Sequence, residues 1–203
     1  MNGRRAPIDG SSASGPYQAR GFTVVDLTFS IVVVVLAYYR YHILASNGAP
    51  PTIDSGNWIA YGDQILGDGV RSNTIVYPPV VPILSKVSVS LFGLTAGVSG
   101  LAAAASTAPA VGIYLALRRL GPELIALPPS ILVLGASSIG EATAWGGFPQ
   151  LIGFGLAPIT LVLLDRFLRT WDARSALATG FAFMALLATS HLVGATIDRK
   201  SVV

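Results

Sequence analysis

The sequence predicts an all-α membrane protein, a polytopic bundle of transmembrane helices with a long outer loop that carries a short surface helix. Three observations predict it. Charged residues make up 11% of the 203 positions and hydrophobic residues 52%, whereas an ordinary soluble domain carries roughly 25% charge. The mean hydropathy is +0.64. Uncharged stretches such as Leu94 to Leu117 and Leu124 to Gly140 approach or exceed the roughly 20 apolar residues that a spanning helix needs. The net charge of +3 and the pI near 9.4 do not point to nucleic acid as a partner. The basic residues sit at the ends of apolar segments, where they orient a chain in the lipid bilayer. There is no cysteine, so disulfides and thiolate metal sites are excluded, and two histidines, His42 and His191, are too few for a His-built metal centre.

Residues 1–21 are polar, rich in Gly, Ser and Ala, and read as a disordered tail rather than a cleavable signal. Span one covers residues 22–44: its centre, Ile31 to Ala37, is aliphatic, and Tyr38, Tyr39, Tyr41 and His42 form an aromatic belt at its far end. Residues 45–93 are a long water-facing loop carrying Asp54, Asp63, Asp68, Arg71 and the pairs Pro50-Pro51 and Pro78-Pro79. Within it, Val80 to Phe92 contains Pro82, Lys86 and serines, and is too short and polar to span. It reads as a helix lying at the membrane surface. Four further spans follow at 94–117, 124–139, 151–168 and 175–195, with kinks expected at Pro109 and at Pro128-Pro129. Short loops at 118–123, 140–150 and 170–174 separate them.

Charge parity orients this layout. With the N-terminus cytoplasmic, the inner segments hold Arg4, Arg5, Arg20, Arg118, Arg119, Arg166, Arg169 and Arg174, eight of the thirteen Lys and Arg residues. The outer segments before the final tail hold Arg40, Arg71 and Lys86. Counting Val80 to Phe92 as a span would split the basic clusters between the two faces, so the positive-inside rule favours the surface helix. Residues 196–203, ending Arg199-Lys200-Ser201-Val202-Val203, read as foreign sequence at a truncated reading frame, and the chain is expected to be an N-terminal fragment.

The side chains with chemical potential lie on the outer face. One outer segment runs from Pro51 through Asp54, Trp58, Tyr61 and Asp63 to Tyr77-Pro78-Pro79; the other runs from Gly140-Glu141 to Trp145-Gly146-Gly147-Phe148-Pro149-Gln150. A carboxylate at the membrane surface can take the proton of an acceptor hydroxyl, or ligate a hard divalent cation that neutralises a phosphate. Two such segments could bring Asp54 and Glu141 to one site. Asp54 can equally be a turn or N-cap residue, since Asp-Ser-Gly favours turns.

In its order of features the chain resembles the N-terminal part of the GT-C superfamily of membrane glycosyltransferases, the architecture of protein mannosyltransferases and aminoarabinose transferases. The resemblance rests on one span, a long outer loop with the early acidic Asp54, and the Tyr-Pro-Pro-x-x-Pro segment Tyr77 to Pro82. It continues through Gly93, the Arg118-Arg119 turn and Gly-Gly-Phe-Pro at Gly146 to Pro149, covering roughly residues 23–195. It implies transfer of a sugar from a polyprenyl-phosphate or polyprenyl-diphosphate donor to an acceptor on the outer face of the cell membrane. Asp54 then takes the catalytic position, with Glu141 assisting or joining it as a ligand of Mg or Mn. The chain lacks an Asp-x-Asp pair at either place.

Beside that expectation, Arg71, Lys86 and His191 are candidates to meet phosphate or acceptor, although each is more simply read as an interfacial side chain. Asp26 is expected to cap span one or to find a partner in the bundle, and Asp165 to pair with Arg166 at the surface. The competing class is a multi-pass transporter or permease, favoured by the Gly- and Pro-interrupted spans and disfavoured by the absence of an internal repeat.

Overall fold

A computed structural model describes residues 21–46, 52–67 and 77–190. Among the described residues the chain is helical, without strands: α1 (Val24–Ala45), α2 (Ser55–Leu66), α3 (Val80–Phe92), α4 (Leu94–Leu120), α5 (Glu123–Gly135), α6 (Ser137–Trp145), α7 (Phe148–Thr170) and α8 (Ala173–Thr189).

The bundle carries many of its large apolar side chains on the outside. On α1, Ile31, Val34 and Val35 are more than half exposed while Phe29 is buried, a pattern that water penalises and lipid rewards. Helices α1, α4 and α7 are each long and apolar enough to cross a membrane, and α5 with α6 makes a fourth crossing if the pair is taken as one bent span. The protein is therefore an α-helical membrane protein, with spans one, two and four of the sequence reading present as α1, α4 and α7. Helix α8 has 17 residues, and the rest of the fifth predicted span lies outside the described residues.

Two expectations are corrected. The third span is not a single helix kinked at Pro128-Pro129: α5 runs through both prolines, and the chain bends by 49° at Ala136 instead. Gly135 ends α5 and Ala136 takes an extended conformation, so the Gly-Ala-Ser-Ser sequence breaks the helix where the prolines do not. Second, helical structure enters both outer segments. Ser55–Leu66 forms α2, and the expected 140–150 loop is mostly the end of α6 and the start of α7 around Gly146-Gly147.

The polar contacts give each helix its direction. At the start of α1, Thr23 and Asp26 form a capping box, with the Thr23 amide 2.7 Å from Asp26 Oδ2. The same carboxylate accepts from Tyr114 Oη at 2.8 Å and is ion-paired with Arg118, near the far end of α4. Asp26 thus fills both roles anticipated for it. Helices α1 and α4 run antiparallel, so α2 and α3 return the chain to the end at which α1 finished, and α3 makes no net crossing. Further along α1, the Arg40 guanidinium donates to the Ser106 carbonyl at 3.0 Å, to Ser106 Oγ at 2.9 Å, and to the Leu134 carbonyl. Leu134 is in the last turn of α5, where the break at Ala136 leaves carbonyls without helical donors, and Arg40 supplies one. On the other side, Thr179 of α8 donates to the Leu163 carbonyl of α7 at 2.9 Å. Asp172 caps α8; hydrogen bonds from Thr170 and Ser175 hold its carboxyl well below the usual carboxylate range.

Helix α4 is the centre, touching α1, α3, α5 and α7. Its buried positions are mostly small, among them Gly97, Ala102, Ala105, Ala110 and Gly112, the composition that lets backbones approach in lipid. The approach is closest at α7: a Cβ added to Gly112 would lie 1.9 Å from the Gly155 carbonyl oxygen, and one on Gly155 would lie 2.5 Å from that of Ala108. Gly112→Val should therefore push the two helices apart and cost about 1–3 kcal/mol or more, seen as a lower melting temperature in detergent micelles. Gly100→Ala is the control, because a Cβ there meets nothing within 4 Å; equal melting of Gly112→Val and wild type would disprove the close contact.

Candidate functional site

At the end of the bundle opposite Asp26, the segment before α2 docks on the turn between α6 and α7. The amides of Ile53 and Asp54 donate to the carbonyls of Ala144 and Trp145, each at 3.3 Å. Trp58, buried on α2, donates its indole N–H to the Gly146 carbonyl at 2.8 Å. Gly146 has φ +83, the left-handed region. A Cβ on it would stand 2.9 Å from Asp54 Cβ and 3.1 Å from Thr52 Oγ1, so the turn admits the first outer segment because it has no side chain there. Thr52 and Ser55 are buried beneath, hydrogen-bonded to each other.

This docking frames a cavity of about 370 Å³. Asp54 lines it together with Asn57 and Gln150. Asp54 occupies the N-cap position of α2, yet its side chain makes no capping hydrogen bond. Its carboxylate accepts instead from Asn57 Nδ2 at 3.3 Å, a long contact that leaves most of its acceptor capacity free. The aromatic wall comes from both outer segments: Tyr61 stacks on Tyr77 with ring centres 4.9 Å apart, Trp58 meets Tyr77 edge-on at 5.6 Å, and Trp145 adds a further ring. Gln150 Oε1 is buried without a hydrogen-bond partner among the described residues. Rings that bury an apolar face, beside a carboxylate and two amides, suit a ligand with apolar C–H faces and hydroxyl edges.

The predicted site residues distribute unevenly. Asp54 is at the cavity. Glu141 is exposed on α6, one turn before Trp145, and does not line it. A divalent cation at Asp54 would thus find one carboxylate, and among the described residues no group of three His, Asp or Glu side chains is placed to hold a metal. Lys86 is ion-paired with Asp63 across α2 and α3. Arg71 and His191 lie outside the described residues. Sequence reasoning placed Gln150 and the aromatic side chains in the outer segments but gave none of them, nor Asn57, a role. The signal was the recurrence of aromatics in both outer segments, which acquires meaning only once the segments are docked. A larger crevice of about 480 Å³ between α4 and α7 lies at the opposite end; its lining is apolar apart from Asp165 and Arg169, which pair with each other.

Gly146→Ala places a side chain in the left-handed region and against Asp54, at about 1 kcal/mol or more for the backbone alone. It should raise local opening of the docked segment by about tenfold. Ser55→Cys, at a position 1% exposed, reports this as faster thiol modification in the Gly146→Ala background; an unchanged rate would show that Gly146 does not hold the segment. Comparison of the chain with protein-family models, with curated proteins and with solved structures finds no match to any of the three.

Proposed function

We propose that the protein acts as a membrane glycosyltransferase that moves a sugar from a polyprenyl-phosphate-linked donor to an acceptor hydroxyl at the Asp54 end of the bundle. The supporting observation is the Asp54 carboxylate, uncommitted to capping, at a cavity walled by aromatic rings and two amides. A polyprenyl phosphate is already a capable leaving group, so the protein's work is to position the acceptor and remove its proton. Asp54 accepts that proton as the acceptor oxygen bonds to the anomeric carbon and the carbon–phosphate oxygen bond breaks. The ring wall holds the sugar face, and Gln150 Oε1 accepts a hydrogen bond from a sugar hydroxyl.

In this reading the Asp54 end faces outward from the cell membrane. Support comes from the basic residues: Arg118, Arg119, Arg166, Arg169 and Arg174 stand at the Asp26 end, against Arg40 and Lys86 towards the other. Gly56→Cys should react with an impermeant thiol reagent added to intact cells, and Ala173→Cys should not; the reverse pattern would invert the orientation.

Activity is tested with Asp54→Asn, which keeps size and shape and removes basicity. Transfer of radiolabelled sugar from a polyprenyl-linked pool in membranes should fall by about 10² or more, with Asp63→Asn near wild type. Equal turnover of wild type and Asp54→Asn would remove Asp54 from the chemistry. The broken α5–α6 helix favours a second reading, a transporter, since interrupted helices form substrate sites in such proteins. Uptake of a solute without any sugar transfer would decide for it.

A further inference from the structure

At the Asp26 end, the last turns of α4 and α7 leave a crevice of about 200 Å³. Leu115 and Ala116 form one wall and Ile159, Val162 and Leu163 the other, so the floor is apolar. Arg119 and Arg166 also line it, one from each helix, each near its helix end. Of the other cations on α4 and α7 at this end, Arg118 pairs with Asp26 and Arg169 with Asp165. The sequence expectation that Asp165 pairs with Arg166 is corrected here, because residues four apart share a helix face and adjacent ones do not. Among the described residues Arg119 and Arg166 have no ion pair and no side-chain hydrogen bond.

Two like charges brought to one crevice repel each other, and an anion between them turns that cost into attraction. Their place at the ends of membrane-crossing helices is the level of lipid headgroups, and the apolar walls run from there towards the bilayer interior. We infer that this crevice binds one anionic phospholipid, with its phosphate between Arg119 and Arg166 and part of an acyl chain against Leu115, Ile159 and Val162. A free phosphate would gain nothing from the apolar walls, and a zwitterionic lipid brings its own cation to the guanidiniums. The inference is independent of the chemistry assigned to the Asp54 end.

The test takes the full chain from vesicles of equal phosphatidylglycerol and phosphatidylcholine and counts retained lipid by native mass spectrometry. Wild type should retain phosphatidylglycerol in preference to phosphatidylcholine, and excess inorganic phosphate should not displace it. Each basic residue near an anionic surface is worth about fivefold, so the double variant Arg119→Gln with Arg166→Gln should lose about 25-fold. Arg119→Lys with Arg166→Lys should keep most of the retention. Leu115→Ser, at a position 46% exposed and hence tolerant of change, should weaken retention although it leaves both charges in place. Melting of each variant in zwitterionic micelles, matching wild type, verifies the fold. Equal retention of the two lipids would overturn the proposal, as would displacement by inorganic phosphate. Undiminished retention by either the double Gln variant or Leu115→Ser would do the same.

Discussion

The close approach of α4 to α7 at Gly112 and Gly155 governs the placement of nearly everything else in this bundle. In lipid there is no hydrophobic gain from pressing two apolar helices together, so association relies on packing contacts that small residues permit. Helix α4 presents such residues along its buried positions, and α7 meets them with a glycine of its own. The start of α7 is thereby fixed beside α4, where Phe148 and Leu151 pack with Ala102 and Ala105. The Gly146-Gly147 turn immediately precedes that point, so the helix contact also locates the surface on which Asp54 and Trp58 dock. Packing far from the cavity sets its geometry.

The charges within the bundle obey a related constraint. Burial removes the water that would otherwise solvate them, so each must find protein partners. Asp26 meets Arg118, Tyr114 and the cap at Thr23, and Tyr114 stacks on Phe29 with ring centres 3.9 Å apart. Arg40 solves the same problem differently, with neutral acceptors from α4 and α5. A guanidinium suits this role because its donors are spread in a planar fork that reaches two helices at once. The break in the hydrogen-bonding of α5 and the Arg40 guanidinium each complete the other.

The fold was legible wherever hydropathy acts over a long window. Spans one, two and four are read to within a few residues, and the short helix Val80–Phe92 to its ends, because length and the scarcity of charge decide those cases. The break at Ala136 was not legible: prolines advertise a kink from sequence, while a Gly-Ala-Ser-Ser break depends on whether a donor such as Arg40 is present to receive the freed carbonyl. Helix α2 was hidden by its glycines, Gly56 and Gly62, which weaken a helical pattern that tertiary contacts restore. Asp54 could be named from its position near the start of the outer loop. Its freedom from capping could not, nor could its proximity to Gln150 and Trp145, since these turn on how two segments some ninety residues apart (Asp54 and Trp145 being the pair in contact) meet in space.

Helix α4 has 27 residues, a length of about 40 Å at roughly 1.5 Å per residue, against a hydrocarbon layer of about 30 Å. The difference has to be absorbed by tilting, by local thickening of the bilayer, or by letting the helix stand proud of it. Because α7 is locked to α4 at the glycine contact, the two lean as one body and carry the Gly146 turn with them. To the extent that the pair stands proud rather than tilts, bilayer thickness becomes a control on height: a thinner membrane lifts the Asp54 cavity away from the headgroups, and a thicker one draws it towards them.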